Sequence, residues 1–199
     1  MKTSLIILTI IITGIVVFQF VMLITINKTE KQKYTVVRRY KGFEIRFYPS
    51  ATLATIHSDA KTYKELSNPG FRKLAGYIFG GNETGTKISM TSPVQMELND
   101  SSSAMSFVMP AAYQTENLPK PKDPGIVLKK TNDEYVAAIK FGGFASDRNL
   151  KFHSEKLQRL LKEKDILYQG HYRYLGYNPP FQFIGRRNEI IISVDWKEK

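Results

Sequence analysis

The sequence predicts an α+β domain: a pseudo-twofold, duplicated, distorted antiparallel β-sheet or partly closed β-barrel, flanked by two main helices and preceded by an N-terminal transmembrane helix. Three observations lead there. Short stretches of alternating apolar and polar residues recur from Phe43 to Trp196. Two segments have helical periodicity, and the order strand-strand-helix-strand-strand occurs twice. The first 27 residues stand apart, carrying a long apolar run from Leu5 to Ile26.

That run, Leu5 to Ile26, contains no charge between Lys2 and Lys28. At about 1.5 Å per residue it spans roughly 33 Å as a helix, enough for a hydrocarbon core of about 30 Å. A secretory signal peptide has a shorter apolar region and a small-residue cleavage site. Neither feature fits here, so a retained anchor (1–27) is expected. Residues 28–33 form a polar linker and residues 34–199 a single domain. Lys28, Lys31, Lys33, Arg38, Arg39 and Lys41 follow the run while only Lys2 precedes it, which favours a cytoplasmic domain in a single-pass membrane protein.

Phe43, Ile45 and Phe47 alternate with Glu44 and Arg46, and after Tyr48-Pro49-Ser50 the stretch Ala51 to His57 forms the second strand of an expected hairpin. Asn68 and Pro69 suit the N-cap and first position of a helix. Phe71, Leu74, Ala75 and Ile78 share its inner face, and Gly80-Gly81 ends it. Strands are expected at Lys87–Leu98 and Met105–Met109, then at Ile126–Leu128 and Tyr135–Phe141. A second helix, from about Ser146 to Lys164 with Ser146 or Asp147 as cap, puts Leu150, His153, Leu157, Leu160 and Leu161 on one face. Strands Tyr172–Tyr177 and Glu189–Trp196 close the domain.

Composition excludes several chemistries. With no cysteine there is no disulfide, thiolate metal site, iron–sulfur cluster, cysteine nucleophile or covalent heme attachment. The sequence lacks G-x-S-x-G, H-E-x-x-H, Walker A and G-x-G-x-x-G motifs. Gly80–Gly85 follows a helix instead of opening one, which is the wrong order for a phosphate cradle. His57, His153 and His171 are dispersed. Glu189, entering an apolar strand behind Arg186-Arg187, reads as a partly buried carboxylate paired with an arginine. The formal charge is +11, of which only Lys2 precedes Lys28. No recognition helix, RNP motif or basic helical stripe accompanies it, so nucleic acid is not expected. Anionic lipid headgroups or an anionic ligand suit this charge better.

Six segments in series are similar to one family. They are Phe43–Pro49 (FEIRFYP), Gly70–Asn82 (GFRKLAGYIFGGN), Lys87–Val94 (KISMTSPV), Phe107–Pro110, Leu118–Pro121, and Gly176–Pro180 with Arg187-Asn188-Glu189. In this order and spacing they resemble the SOUL heme-binding family over about residues 34–197. The resemblance implies a duplicated sheet or distorted barrel with two helices. It implies non-covalent binding of heme or a related tetrapyrrole in an apolar groove, without catalysis, and a fold kinship with multidrug-sensing effector domains. Some members carry an iron-ligating histidine in the first hairpin; the matching position here is Phe47. His153 and His57 are left as metal-ligand candidates. For a ligand that is an apolar disc with two propionates, Phe71, Leu74, Ile78, Tyr177, Pro179 and Phe181 are the expected walls, and Arg186 and Arg187 the expected cations. The alternative function is an interaction or lipid-surface module that takes other amphipathic or anionic ligands. Nothing in the sequence fixes an oligomeric state.

Overall fold

The computed structural model describes residues 2–99 and 102–197. The first element is helix α1 (Lys2–Lys28). It is long and apolar enough to cross a membrane over Lys2–Val21, a property it shares with signal sequences. The Thr9 hydroxyl bonds back to the Leu5 carbonyl, so that polar group needs no water. Among the described side chains of α1, only Gln19 is buried.

The expected linker is not loose. The Gln32 N–H donates to the Ser92 carbonyl, and the Ser92 N–H to the Glu30 carbonyl. The Glu30 carboxylate accepts from the Ala111 N–H, and the Gln95 amide donates to Gln32 Oε1. Residues 30–32 are therefore strapped to the domain.

The strands are β1 (Thr35–Tyr40), β2 (Phe43–Tyr48), β3 (Thr52–Ser58), β4 (Val94–Glu97), β5 (Ser103–Val108), β6 (Ile126–Lys130), β7 (Glu134–Phe141), β8 (Tyr168–Gly176) and β9 (Asn188–Val194). Helix α2 (Tyr63–Ile78) joins β3 to β4, and α3 (Asp147–Lys162) joins β7 to β8. All strands lie in one antiparallel sheet of order β1-β2-β7-β9-β8-β4-β5-β3-β6. Its edge strands β1 and β6 do not pair, so of the two expected forms the open sheet is found and the barrel is not. Both helices contribute to the main apolar core, on the face with Ile45, Ile56, Met105, Ile139, Tyr174 and Ile190. Gly70 lets α2 lie close: a Cβ there would be 3.0 Å from Met105 Cε and 3.1 Å from Ile56 Cδ1.

Three local expectations are corrected, and one strand that was not expected joins them. First, β2 and β3 do not form a hairpin. β2 pairs with β1 and β7, and β3 with β5 and β6. The segment between them crosses from one half of the sheet to the other. There the Ser50 N–H is held by Asp133 Oδ1 and the Ala51 N–H by Thr131 Oγ1. Second, β1 is an edge strand that lacks clean alternation; its pairing shifts register between Val36 and Arg38, which hides the period of two. Third, α2 starts one and a half turns before Pro69. Thr62 caps it by accepting from the Glu65 N–H, and the early turns bury Leu66. Pro69 is tolerated inside because that burial outweighs one missing hydrogen bond. Fourth, residues 87–93 are not strand. They bond instead to the end of α2, to β5 and to the linker, as in Ile88 N–H to Ile78 O and Thr91 Oγ1 to Val108 O.

The second face of the sheet holds a smaller apolar cluster (Tyr48, Val136, Ala138, Leu175, Tyr177, Ile191) around a buried carboxylate, Glu189, which has no exposed surface. Arg46 forks onto it, Nη1 to Oε2 at 2.8 Å and Nη2 to Oε1 at 3.2 Å. Arg187 adds Nη2 to Oε1 at 2.8 Å, and the Tyr177 hydroxyl donates to Oε2 at 3.0 Å. Burial alone would raise the Glu189 carboxyl; the two guanidiniums overcome it and hold the group below its ordinary range. A carboxylate with a lowered folded-state pKa stabilises fully above its unfolded value and loses that contribution as pH falls through the folded one. Glu189→Gln leaves the half-buried Arg187 without its carboxylate and the buried Arg46 with Glu44 alone. It should lower the unfolding free energy by about 3–5 kcal/mol at neutral pH. It should also flatten the acid limb of stability below about pH 4.5, the unperturbed value. Urea unfolding of the full chain in detergent, followed by its single tryptophan, measures both.

Candidate functional site

The connection from β8 to β9 is built by its prolines and by one arginine. Asn178-Pro179-Pro180 cannot continue a ladder, because neither proline offers an N–H. The Tyr177 N–H closes the base of the loop on the Arg187 carbonyl, and Asn178 Oδ1 accepts from the Arg187 N–H at 2.6 Å. Arg186 then folds back into the loop. Its Nη1 donates to the Pro179 and Gln182 carbonyls, both at 2.7 Å, and Nη2 to the Asn178 carbonyl at 3.4 Å. The guanidinium lies 4.5 Å from the centre of the Phe144 ring. Arg186 Nε is buried without a partner, and no carboxylate among the described residues pairs with this cation.

Around Arg186 several elements converge. Tyr63 begins α2, and its N–H donates to Asp147 Oδ1 in the first turn of α3 at 2.6 Å. Its ring meets Tyr174 of β8 edge-on at 5.5 Å. The Tyr174 hydroxyl donates to Asn188 Oδ1 at 2.7 Å, and Asn188 Nδ2 donates to the Gly143 carbonyl just before Phe144. Burial raises the Tyr63 hydroxyl above its ordinary value, and the Arg186 charge counters the rise. Tyr174 is pushed up further, again by burial. Both hydroxyls therefore stay neutral donors at physiological pH. The starts of both helices, with their positive dipole ends, lie in the same neighbourhood. The result is a corner where one guanidinium lies beside the rings of Phe144, Tyr63 and Tyr174.

The sequence profile of the SOUL heme-binding protein family matches residues 29–193. The chain belongs to this family. Relatives include heme-binding protein 1 of Xenopus laevis, 29% identical over 156 residues that cover 75% of this chain and 82% of that one. Heme-binding protein 2 of Mus musculus is 28% identical over 157 residues, covering 75% and 76%. Among solved structures, the C-terminal domain of EcmrR superposes with a TM-score of 0.56 at 9% identity, covering 82% of this chain and 99% of that one. That last likeness is one of fold.

Within this SOUL domain the expected site residues separate. Arg186, Pro179 and Phe181 come together in the loop, with Phe181 exposed and Pro179 half-buried. Phe71 is exposed on α2, tilted against Phe107 at 5.2 Å, and lies two turns along the helix from Tyr63. Leu74 and Ile78 are at 0% and 1% exposure in the core, where they support α2 from behind. Tyr177 and Arg187 belong to the other face, committed to Glu189; Arg187 also stacks 4.0 Å over the Tyr177 ring. His57 is exposed on β3. His153 is half-buried on α3, stacked on Phe141 at 4.0 Å, with Nδ1 at 2.8 Å from the Asn149 carbonyl. With that nitrogen donating, Nε2 is left with a lone pair. Among the described residues no cluster of three or more His, Asp or Glu could hold a metal ion. The sequence reading missed Tyr63, Phe144 and Tyr174, whose proximity arises only when the two helix starts meet. A separate cleft of about 320 Å³ lies between the linker and residues 109–114, with Lys31, Lys33 and Lys130 in its lining.

The two neighbouring arginines should behave differently. Arg187→Ala removes one of the two cations on buried Glu189 and should cost about 3 kcal/mol of global stability. Arg186→Ala frees three loop carbonyls and should speed amide hydrogen exchange across residues 178–185, with little change in the unfolding midpoint. Exchange mass spectrometry beside urea unfolding separates the two effects.

Proposed function

We propose that this SOUL-family protein is a membrane-anchored, non-catalytic carrier of heme or a related tetrapyrrole, bound non-covalently at the Arg186 corner. One observation above all supports the site: among the described residues Arg186 has no carboxylate partner, its buried Nε–H is unused, and its guanidinium lies against the Phe144 ring. That is the complement of a propionate on the edge of a porphyrin. Heme, when bound, supplies the flat apolar macrocycle and the iron. Phe144, Phe181 and Pro179 offer apolar wall, and Phe71 extends that surface along α2. Leu74 and Ile78 hold the helix in place, and Tyr177 and Arg187 hold the loop base through Glu189. His153 Nε2 is the candidate iron ligand on the helix-bearing face. The absence of cysteine leaves no route to a thioether link. The names of the relatives support a binding role.

In the same reading α1 spans the bilayer, and the lysines and arginines from Lys28 to Lys41 favour the cytoplasmic side for the domain. A duplicated origin of the domain also belongs to this reading. Outward from the central β4·β8 pair, the order β5-β3-β6 on one side matches β9-β7-β2 on the other, which supports an approximate twofold.

Hemin titration of the full chain in nanodiscs, read at the Soret band against empty nanodiscs, tests the proposal. One saturable site is expected. Loss of a charge-assisted hydrogen bond is worth about 1.5–3 kcal/mol, so Arg186→Ala should weaken hemin roughly tenfold or more. The same variant should leave the uncharged dimethyl ester nearly unaffected. His153→Ala should change the visible spectrum of the complex if its ring reaches the iron. Hemin uptake equal to that of empty nanodiscs would refute the reading.

A further inference from the structure

Phe144, Phe181, Phe183 and Ile184 are all exposed, between 46% and 63%, on one side of the domain. Phe144 and Phe183 are 6.1 Å apart, and Phe181 is 6.2 Å from Phe18 of α1. A buried side chain of α1 fastens the loop to the helix. Gln19, 4% exposed, donates from Nε2 to the Phe181 carbonyl at 3.1 Å and accepts at Oε1 from the Phe183 N–H at 3.0 Å. A glutamine in an otherwise apolar helix thus has a strand-like pair of bonds to a loop more than 160 residues away.

The height of this contact along α1 is informative. The uncharged apolar run extends from Leu5 to Ile26. Gln19 lies 7 residues before its end, about 10 Å along the axis, in a run of roughly 33 Å set against a hydrocarbon thickness of about 30 Å. The loop therefore meets the helix within about 10 Å of the point where a spanning α1 leaves the acyl chains. Its backbone is prepared for poor hydration. The carbonyls of Asn178, Pro179 and Gln182 are taken by Arg186, that of Phe181 by Gln19, and that of Ile184 by the Gln182 amide. The N–H groups of Gln182 and Phe183 are also bonded. What the tip turns outward is hydrocarbon. Aqueous loops rarely expose three large apolar residues in four, and here five loop carbonyls are bonded within the protein. Bonding these carbonyls within the protein lowers the cost of bringing irregular backbone toward the acyl chains.

The geometry points to a second membrane contact: the tip Phe181–Ile184, with Phe144, seats in the acyl-headgroup boundary of the same leaflet from which α1 emerges, and Gln19 locks the two together. The occupant of this patch is lipid. The domain is then held against the bilayer in one orientation, with the Arg186 corner next to the surface. The inference rests on α1 spanning the membrane, and its test separates the two.

A chain without cysteine allows single-site labelling. Ile184→Cys, Val16→Cys in α1 and Val127→Cys on the exposed side of β6 would each be labelled with an NBD fluorophore and the full chain reconstituted in phosphatidylcholine–phosphatidylglycerol vesicles. Lipids carrying shallow acyl-chain doxyl quenchers then report depth. The label at 184 should shift to the blue and lose about half its emission, as that at 16 does, because interfacial side chains sit about 5–10 Å into the boundary. The label at 127 should do neither. Quenching at 16 without quenching at 184 overturns the second contact and leaves the anchor standing. Quenching at neither position removes the anchor and the inference with it. In Gln19→Leu, α1 should stay inserted while quenching at 184 falls; unchanged quenching there would overturn the lock.

Discussion

The carboxylate of Glu189 organises the sheet. It enters from β9 and is met by Arg46 from β2, so the ion pair reaches diagonally across β7, the strand between them. The small Ala138 of β7, in register with both Glu44 and Ile191, leaves room for that crossing. Arg187 closes the other side, and Tyr34 and Tyr177 cap the charges with ring faces and hydroxyls. A buried ion pair gives weak net stabilisation compared with apolar packing, but it is strict about geometry, since an unpaired member is costly. Here that strictness fixes the register of three strands. It also fixes the point at which the β8–β9 loop begins, because Arg187 and Tyr177 are the two residues at its base.

The elements that depend on local pattern were legible in the sequence. The apolar face of α3, its cap at Ser146 or Asp147 and the alternation in β2 are short-range signals, and they predicted their elements within a few residues. Glu189 was legible too, as a carboxylate between an arginine doublet and an apolar strand. What could not be read was pairing across distance. Arg46 as its main partner lies 143 residues away. The exchange of β2 and β3 between halves of the sheet replaces an expected hairpin because Pro49-Ser50 looks like a tight turn and is instead a crossover bonded to Thr131 and Asp133. The early start of α2 was hidden by Pro69, whose usual place at a helix start masked the better cap at Thr62.

The same distinction holds for the site. Arg186, Pro179 and Phe181 are close in sequence and meet in space. Arg187, adjacent in sequence, is on the other face, since consecutive residues at a strand entrance point to opposite sides. Leu74 and Ile78 illustrate a different confusion. Helical periodicity identifies the buried face of a helix, and a ligand wall would be built on that face only if the core left a gap there. In this chain the sheet fills the space, and the aromatics of α2 that reach the surface are Tyr63 and Phe71 at its margin.

One loop of eleven residues, 177–187, therefore has three attachments. At its base Arg187 and Tyr177 tie it to the buried carboxylate on the outer face. In its middle Arg186 ties its carbonyls together on the helix face. At its tip Gln19 ties it to α1. These attachments are mechanically in series, and the middle one is also the candidate contact for an anionic group. A ligand that drew the guanidinium away from the loop carbonyls would loosen the tip and with it the hold on α1. The Nε–H carries no such bond but is buried, so an anion reaches it only when the loop or Phe144 moves aside. Capture of a ligand at the proposed Arg186 site and the hold of the tip on α1 are thus coupled through one guanidinium.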